Sequence, residues 1–191
     1  MSFYRRRLPH WQPEGVPIFL TWRLFGSLPS CYVDPTLTEG KRFVALDRQL
    51  DNASSGPMYL NDPGVAAAVV ETLFVAGEKW ELYELLAWVL MSNHVHVLLL
   101  PRKPLCEVTR AIKNTSGREA NMVLGRTGTP FWQDESYDHW VRDGKEMNRV
   151  VRYIEWNPVK AGLVTSPELW RWSSASEFYG QVGDLPHGIS L

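Results

Sequence analysis

Twelve residues constrain this chain more than any others: Leu90-Met91-Ser92-Asn93-His94-Val95-His96-Val97-Leu98-Leu99-Leu100-Pro101. In extended backbone successive side chains alternate faces, so His94 and His96 share one side while Val95, Val97 and Leu99 share the other. The apolar run around them reads as a buried β-strand. Two imidazoles side by side can each offer a nitrogen to one divalent ion. The same spacing also occurs in strand histidines that hold nothing, so the rest of the chain has to decide between the two.

At 191 residues the chain suits one domain, 1–191, large enough to bury a core. The net charge of −1 argues against a protein that coats nucleic acid by charge alone. The charge is unevenly placed, however. Residues 1–30 carry four Lys/Arg against one acid and residues 102–171 carry twelve against nine, while residues 31–101 carry four against nine. A nearly neutral chain can thus present one basic face. Cys31 and Cys106 are too few and too far apart for a disulfide framework or a zinc knuckle. No apolar run has the length of a membrane span, and Leu8-Pro9-His10-Trp11 does not continue the Arg5-Arg6-Arg7 stretch as a signal peptide would. A cytoplasmic protein with no membrane partner is expected.

In chain order, residues 1–15 read as a basic, aromatic arm. Val16 to Leu28 reads as a strand, with Ile18, Leu20, Trp22 and Leu24 on one face. A helix is expected over Thr38 to Leu50, then a loop through Gly56-Pro57. Asp62-Pro63 opens the next helix as N-cap and first turn, with Val65, Val69, Leu73 and Ala76 at helical spacing. Trp80 to Met91 is a second strand and His94 to Leu100 a third, joined by a tight turn at Ser92-Asn93. Pro104 starts a helix to about Leu124, with Leu105, Val108 and Ile112 inward and Arg110, Lys113, Asn114, Arg118 and Asn121 gathered on the other side. The loop Gly125 to Pro130 is Gly-rich and cationic but lacks the Gly-Lys-Ser/Thr ending of a phosphate-binding loop. A further strand is expected near Thr129–Gln133. Asp143 and Glu146 form a capping-box pattern for a helix that Asn157-Pro158 ends, and 165–191 is a C-terminal extension. The order fits an α+β, ferredoxin-like βαββαβ sandwich, an antiparallel sheet with helices on one face.

Separated stretches then resemble a known family. Asn93-His94-Val95-His96 is similar to the His-hydrophobic-His motif of single-tyrosine HUH transposases. It is followed by Ile112-Lys113, Phe131-Trp132-Gln133, Tyr137-Asp138-His139 with Val141-Arg142-Asp143, the stretch Tyr153 to Val164 with Asn157-Pro158-Val159-Lys160-Ala161-Gly162, and Trp170-Arg171-Trp172-Ser173-Ser174. This ordered set, over roughly residues 15–180, resembles the REP-associated tyrosine transposases.

The resemblance implies a ferredoxin-like fold and action on single-stranded DNA folded as REP-type hairpins. One tyrosine cuts the strand and stays joined to the 5′ phosphate. It implies His94 and His96 as catalytic residues and ligands of Mg²⁺ or Mn²⁺, and two nitrogen ligands suit Mn²⁺ better. The expected nucleophile is Tyr137. Relatives can supply a third ligand one helical turn after the tyrosine, a position held here by Val141; His139 is therefore the expected third ligand, ahead of Asp138. Arg110, Lys113, Asn114, Arg118, Arg126 and Arg142 are expected to grip DNA. The expected enzyme is a tyrosine DNA transposase or single-strand endonuclease, nucleoid-associated, monomer or homodimer. The alternatives are a relaxase or rolling-circle nuclease, a non-catalytic single-strand nucleic-acid-binding module, and, third, a zinc hydrolase.

Overall fold

The computed structural model describes residues 15–28, 36–53 and 55–180. Most of the expected N-terminal arm, Cys31 and residues 181–191 of the C-terminal extension lie outside the described residues. Four strands form one antiparallel sheet: β1 (Ile18–Arg23), β2 (Tyr83–Leu90), β3 (His94–Pro101) and β4 (Tyr137–Trp140), in the order β2-β3-β1-β4. With α2 (Pro63–Glu78) and α3 (Leu105–Val123) between them, this is the ferredoxin-like arrangement. Before α2 comes α1 (Glu39–Asp51), and after the sheet come α4 (Gly144–Glu155), the single turn α5 (Asn157–Lys160) and the short α6 (Glu177–Gly180).

The two-residue period of the strands sorts the core into two layers. Ile18, Leu20, Trp22 and Leu24 of the first strand region and Val95, Val97 and Leu99 of β3 pack with Val65, Val69 and Leu73 of α2 and Leu105, Val108 and Ile112 of α3. Each of these side chains is essentially removed from water, which favours folding by about 1.5–3 kcal/mol apiece. On the opposite face Phe19, Ala87, Val89 and Leu98 meet Phe43 of α1 and Ile154 of α4. That second layer is smaller, and it contains both histidines.

The helix starts follow the sequence closely. The Asp62 carboxylate accepts from the Gly64 and Val65 amides at 2.8 and 3.1 Å, with Pro63 in the first turn. Asp143 accepts from the Glu146 amide at 2.8 Å, whereas the Glu146 carboxylate accepts from the Arg142 amide at 2.7 Å, one residue earlier than a reciprocal box requires. The fourth strand lies downstream of the expected Thr129–Gln133 stretch, which contributes only an isolated bridge between Trp132 and Leu24. Pairing with β1, from Ile18–Trp140 to Thr21–Tyr137, is what makes 137–140 a strand. Among the described residues no helix is long and apolar enough to cross a membrane.

Candidate metal centre

His94 and His96 lie on β3 with side chains on the α1/α4 face, and both are completely buried. Burying two imidazoles is costly unless their nitrogens find partners. The Nδ1 atoms do: His94 Nδ1 is 2.7 Å from Asn93 Oδ1, and His96 Nδ1 is 2.7 Å from Thr21 Oγ1 on the neighbouring strand. The first contact fixes a tautomer. Asn93 Nδ2 donates to the Leu50 carbonyl at 3.0 Å, so Asn93 Oδ1 must be the atom facing His94. An amide oxygen only accepts, so His94 carries its proton on Nδ1. Burial, reinforced by His96, lowers its pKa to about 3, so Nε2 holds a bare lone pair at neutral pH.

That lone pair points into a group of acceptors. The two Nε2 atoms are 3.0 Å apart. Asp47 Oδ1, from α1, lies 3.2 Å from His96 Nε2 and 3.5 Å from His94 Nε2, and Asp51 Oδ1, one helical turn later, lies 3.7 Å from His94 Nε2. Asn157, 1 % exposed in the first turn of α5, sets Nδ2 3.3 Å from His96 Nε2. The Tyr153 hydroxyl, from the last turn of α4, donates to Asp47 Oδ2. Two buried oxygens in this group, Asp47 Oδ1 and Asp51 Oδ1, have no hydrogen-bond partner; Asn157 Oδ1 is also buried without one, but it is the Nδ2 of that amide that faces His96. Orphaned acceptors crowding a bare imidazole nitrogen repel one another, and a cation is the simplest species that would relieve them all. Asp47, His94 and His96 offer ligand atoms within 4.8 Å of one another, the one such group among the described residues. The donor set of two nitrogens and a carboxylate therefore fits a divalent metal, with Asp51 able to add an oxygen, and Asn157 able to add one once its amide is turned over.

Electrostatics follow from the crowding. Burial pushes the Asp47 carboxyl up, but the facing imidazoles and the Tyr153 hydroxyl overcome it and hold its pKa below the usual range. Burial and the neighbouring Asp47 push Asp51 the other way, to about 7. Burial and Asp47 also push the Tyr153 phenol well above its ordinary value, so it keeps its proton.

Two of these shifts have opposite linkage. His94 titrates at about 3 when folded and 6.5 unfolded, so its contribution to stability is present above pH 6.5 and is lost as pH falls. Asp51 titrates at about 7 folded and 3.8 unfolded, so its protonated form favours the fold and stability rises as pH falls through that window. Between pH 4 and 6.5 the two slopes, each about 1.4 kcal/mol per pH unit at full effect, nearly cancel. In chelator, Asp51→Asn should expose the His94 slope and lose stability steeply below pH 6.5 in urea titrations, while the parent stays nearly flat. Equal profiles would mean the groups are not coupled in this way.

Of the other expected site residues, Tyr137 borders this group and the rest lie away from it. Tyr137 is half-buried at the start of β4, in register with Thr21, which is in turn opposite His96, so all three share a face. Its ring stacks on Phe43 at 4.2 Å and borders a cleft of 220 Å³ that also reaches Asp47. His139 lies two residues further along the strand, its Nε2 3.0 Å from Glu146 Oε1 and outside the metal-ligating group. Arg110, Asn114 and Arg118 are exposed on α3, and Arg142 is exposed before α4. Lys113 ties down the chain leading to β4, its ammonium donating to the carbonyls of Gln133 and Asp134 and to Ser136 Oγ. Arg126 sits over the Tyr59 ring at 4.4 Å.

Asp47, Asp51, Tyr153 and Asn157 are what sequence reasoning missed. One local signal was available for the last two: Tyr153 and Asn157 are four residues apart at the end of a helical stretch, where such residues share a face. Asn157-Pro158 reads as a helix stop, yet the backbone takes another turn and the Asn157 side chain enters the site. Asp47 and Asp51 are likewise four residues apart on a helical stretch, but nothing in the sequence ties that pair to histidines more than forty residues later.

Neither a family model nor a curated protein matches this sequence. Among solved structures, the fold is shared with a REP-associated tyrosine transposase bound to a REP hairpin, at 21% identity and a TM-score of 0.57, covering 100% of this chain and 99% of that one. A proposed transposase from Deinococcus radiodurans R1 also matches, at 17% identity and a TM-score of 0.44, covering 82% of this chain and 98% of that one.

Proposed function

We propose that the chain is a metal-dependent single-stranded DNA endonuclease and strand transferase, transposase-like, acting on hairpin DNA through a 5′-phosphotyrosine intermediate with Tyr153 as nucleophile. The observation that carries this reading is the contact between the Tyr153 hydroxyl and Asp47, the carboxylate that also faces both histidines. The transposase whose fold the chain shares was solved with a REP hairpin, which supports hairpin DNA as the substrate class. The tyrosine's helical setting adds support, because Asn157 then stands where relatives carry the polar residue one turn on.

Asp47, His94 and His96 would hold the Mg²⁺ or Mn²⁺ ion, with Asn157 the proposed fourth ligand. When bound, the ion withdraws charge from the non-bridging oxygens of the scissile phosphate. The Tyr153 oxygen forms a bond to phosphorus as the bond to the 3′ oxygen breaks, and the departing oxygen takes up a proton to become a 3′-hydroxyl. Tyr153 is protonated at rest, so it needs an acceptor as it attacks, and Asp47 Oδ2 already receives its hydrogen bond. Phosphotyrosine keeps the energy of the phosphodiester, so a 3′-hydroxyl can reverse the step and join strands. Arg110, Lys113, Asn114, Arg118, Arg126 and Arg142 are the proposed DNA contacts.

The test is incubation of the protein with a labelled single-stranded hairpin oligonucleotide and Mn²⁺, read on a denaturing gel. A covalent protein–DNA band that forms with Mn²⁺ and disappears in chelator is expected. Cleavage with no covalent band would replace the tyrosine mechanism with a water-using nuclease. Tight binding with no cleavage would leave a binding module.

A further inference from the structure

Helix α4 and the turn α5 carry Tyr153, Asn157 and Lys160 at positions i, i+4 and i+7, a spacing that puts side chains on one helical face. The backbone keeps this stripe nearly continuous. The Lys160 amide donates to the Trp156 carbonyl at 3.0 Å, and the Ala161 amide to the Asn157 carbonyl at 2.9 Å. The Tyr153 hydroxyl and the Asn157 amide both enter the metal centre, and Lys160 is the stripe's cation. Its ammonium stands over the Tyr153 ring, 4.4 Å from the centroid. That leaves it about a phosphate's width from the phenol oxygen at the edge of the same ring. Partial burial draws the Lys160 pKa down from the ordinary lysine value, while Asp47 and Asp51 pull it up and Arg152 adds to the lowering. The ammonium is thus in the field of both carboxylates of the metal centre, yet Lys160 is exposed and open to a strand arriving from solvent. Arg152, in the last turn of α4, lies instead over the Trp156 ring at 5.6 Å.

A phosphodiester under attack gathers negative charge on its two non-bridging oxygens as the entering oxygen arrives. A divalent ion answers part of this. However, Asp47 is ionised and Asp51, at about 7, is partly so, and together they cancel most of the ion's charge. A further cation beside the nucleophile is what the charge balance requires.

We propose that Lys160 is a catalytic residue whose ammonium contacts a non-bridging oxygen of the scissile phosphate and stabilises the charge that grows there. This rests on the reading of the chain as a tyrosine nuclease and adds to it a second cationic group at the cut. Lys160 keeps its proton throughout. The Tyr153 oxygen bonds to phosphorus and the 3′ oxygen leaves, with no proton passing through the ammonium.

The experiment measures single-turnover adduct formation on a labelled single-stranded hairpin oligonucleotide with saturating Mn²⁺. It compares wild type with Lys160→Met, Lys160→Arg and Arg152→Met. Methionine keeps an unbranched stem over the Tyr153 ring and removes the charge. Lys160→Met should slow adduct formation about 10²-fold, the scale on which one charge-stabilising donor is felt. Its melting shift with Mn²⁺ and its hairpin affinity in chelator should stay at wild-type values. Lys160→Arg should recover most of the loss, and Arg152→Met should match wild type. A methylphosphonate at the scissile position replaces one charged oxygen by a methyl group. On that DNA wild type and Lys160→Met should react at similar rates, because the charge that the ammonium follows is gone. A defect equal on both DNAs, a Lys160→Met as fast as wild type, an equal defect in Arg152→Met or a lost Mn²⁺ shift would overturn the proposal. If wild type forms the adduct alongside any of these results, the tyrosine reading stands and Lys160 alone is removed. No adduct in wild type removes both.

Discussion

Tyr153→Phe should abolish the covalent protein–DNA band and lower cleavage by at least about 10³-fold, the scale on which loss of a nucleophile is felt. Phenylalanine keeps the ring packed between Phe19, Phe43 and His96 and the face over which the Lys160 ammonium sits at 4.4 Å, so the fold should persist. What is lost is the hydroxyl and its bond to Asp47. Tyr137→Phe is the necessary companion. Tyr137 shares the face of the histidines and borders the cleft beside Asp47, and its ring is stacked on Phe43, which suits a platform for a base next to the cut. Its Phe variant should keep the adduct and change cleavage by less than about tenfold. The reverse pattern, an adduct in Tyr153→Phe and none in Tyr137→Phe, would transfer the nucleophile to β4 and leave Tyr153 as a residue that positions Asp47.

The second large effect concerns Asp47. Mn²⁺ at about a hundred times its dissociation constant should stabilise the wild-type protein by about 2.7 kcal/mol, seen as a rise of roughly 5–10 °C in the melting temperature. Asp47→Ala removes the carboxylate that faces both histidines and should weaken Mn²⁺ binding by about 10²-fold, so that the shift at the same Mn²⁺ concentration nearly vanishes. Cleavage should fall by a similar factor. His139→Ala, which breaks a contact to Glu146 outside the group, should leave the Mn²⁺ shift unchanged. An undiminished shift in Asp47→Ala would place the ion on other ligands.

Much of this architecture was legible because its signals are local. The alternation of Val95, Val97 and Leu99 with His94, His96 and Leu98 specified a strand with both imidazoles on one face, and the sheet keeps that division. Asp62-Pro63 and Asp143 to Glu146 marked helix starts through side chains that reach amides two or three residues away. The last strand was less legible. Tyr137-Asp138-His139-Trp140 has no strong apolar period, and its conformation comes from hydrogen bonding to β1, more than a hundred residues earlier.

The candidate site divides along the same line. Two imidazoles on one strand face were determined by the sequence, because a two-residue period admits no other arrangement. Which groups meet them was decided by tertiary structure: α1 crosses the open face of the sheet and brings Asp47 and Asp51, while α4 and α5 bring Tyr153 and Asn157 from the far end of the chain. Neither α1 nor α4 carries a sequence mark of its destination. Its amphipathic stripe says that one face is buried, and only the packing of the second core layer, Phe43 and Ile154 against Phe19, Val89 and Leu98, says against what.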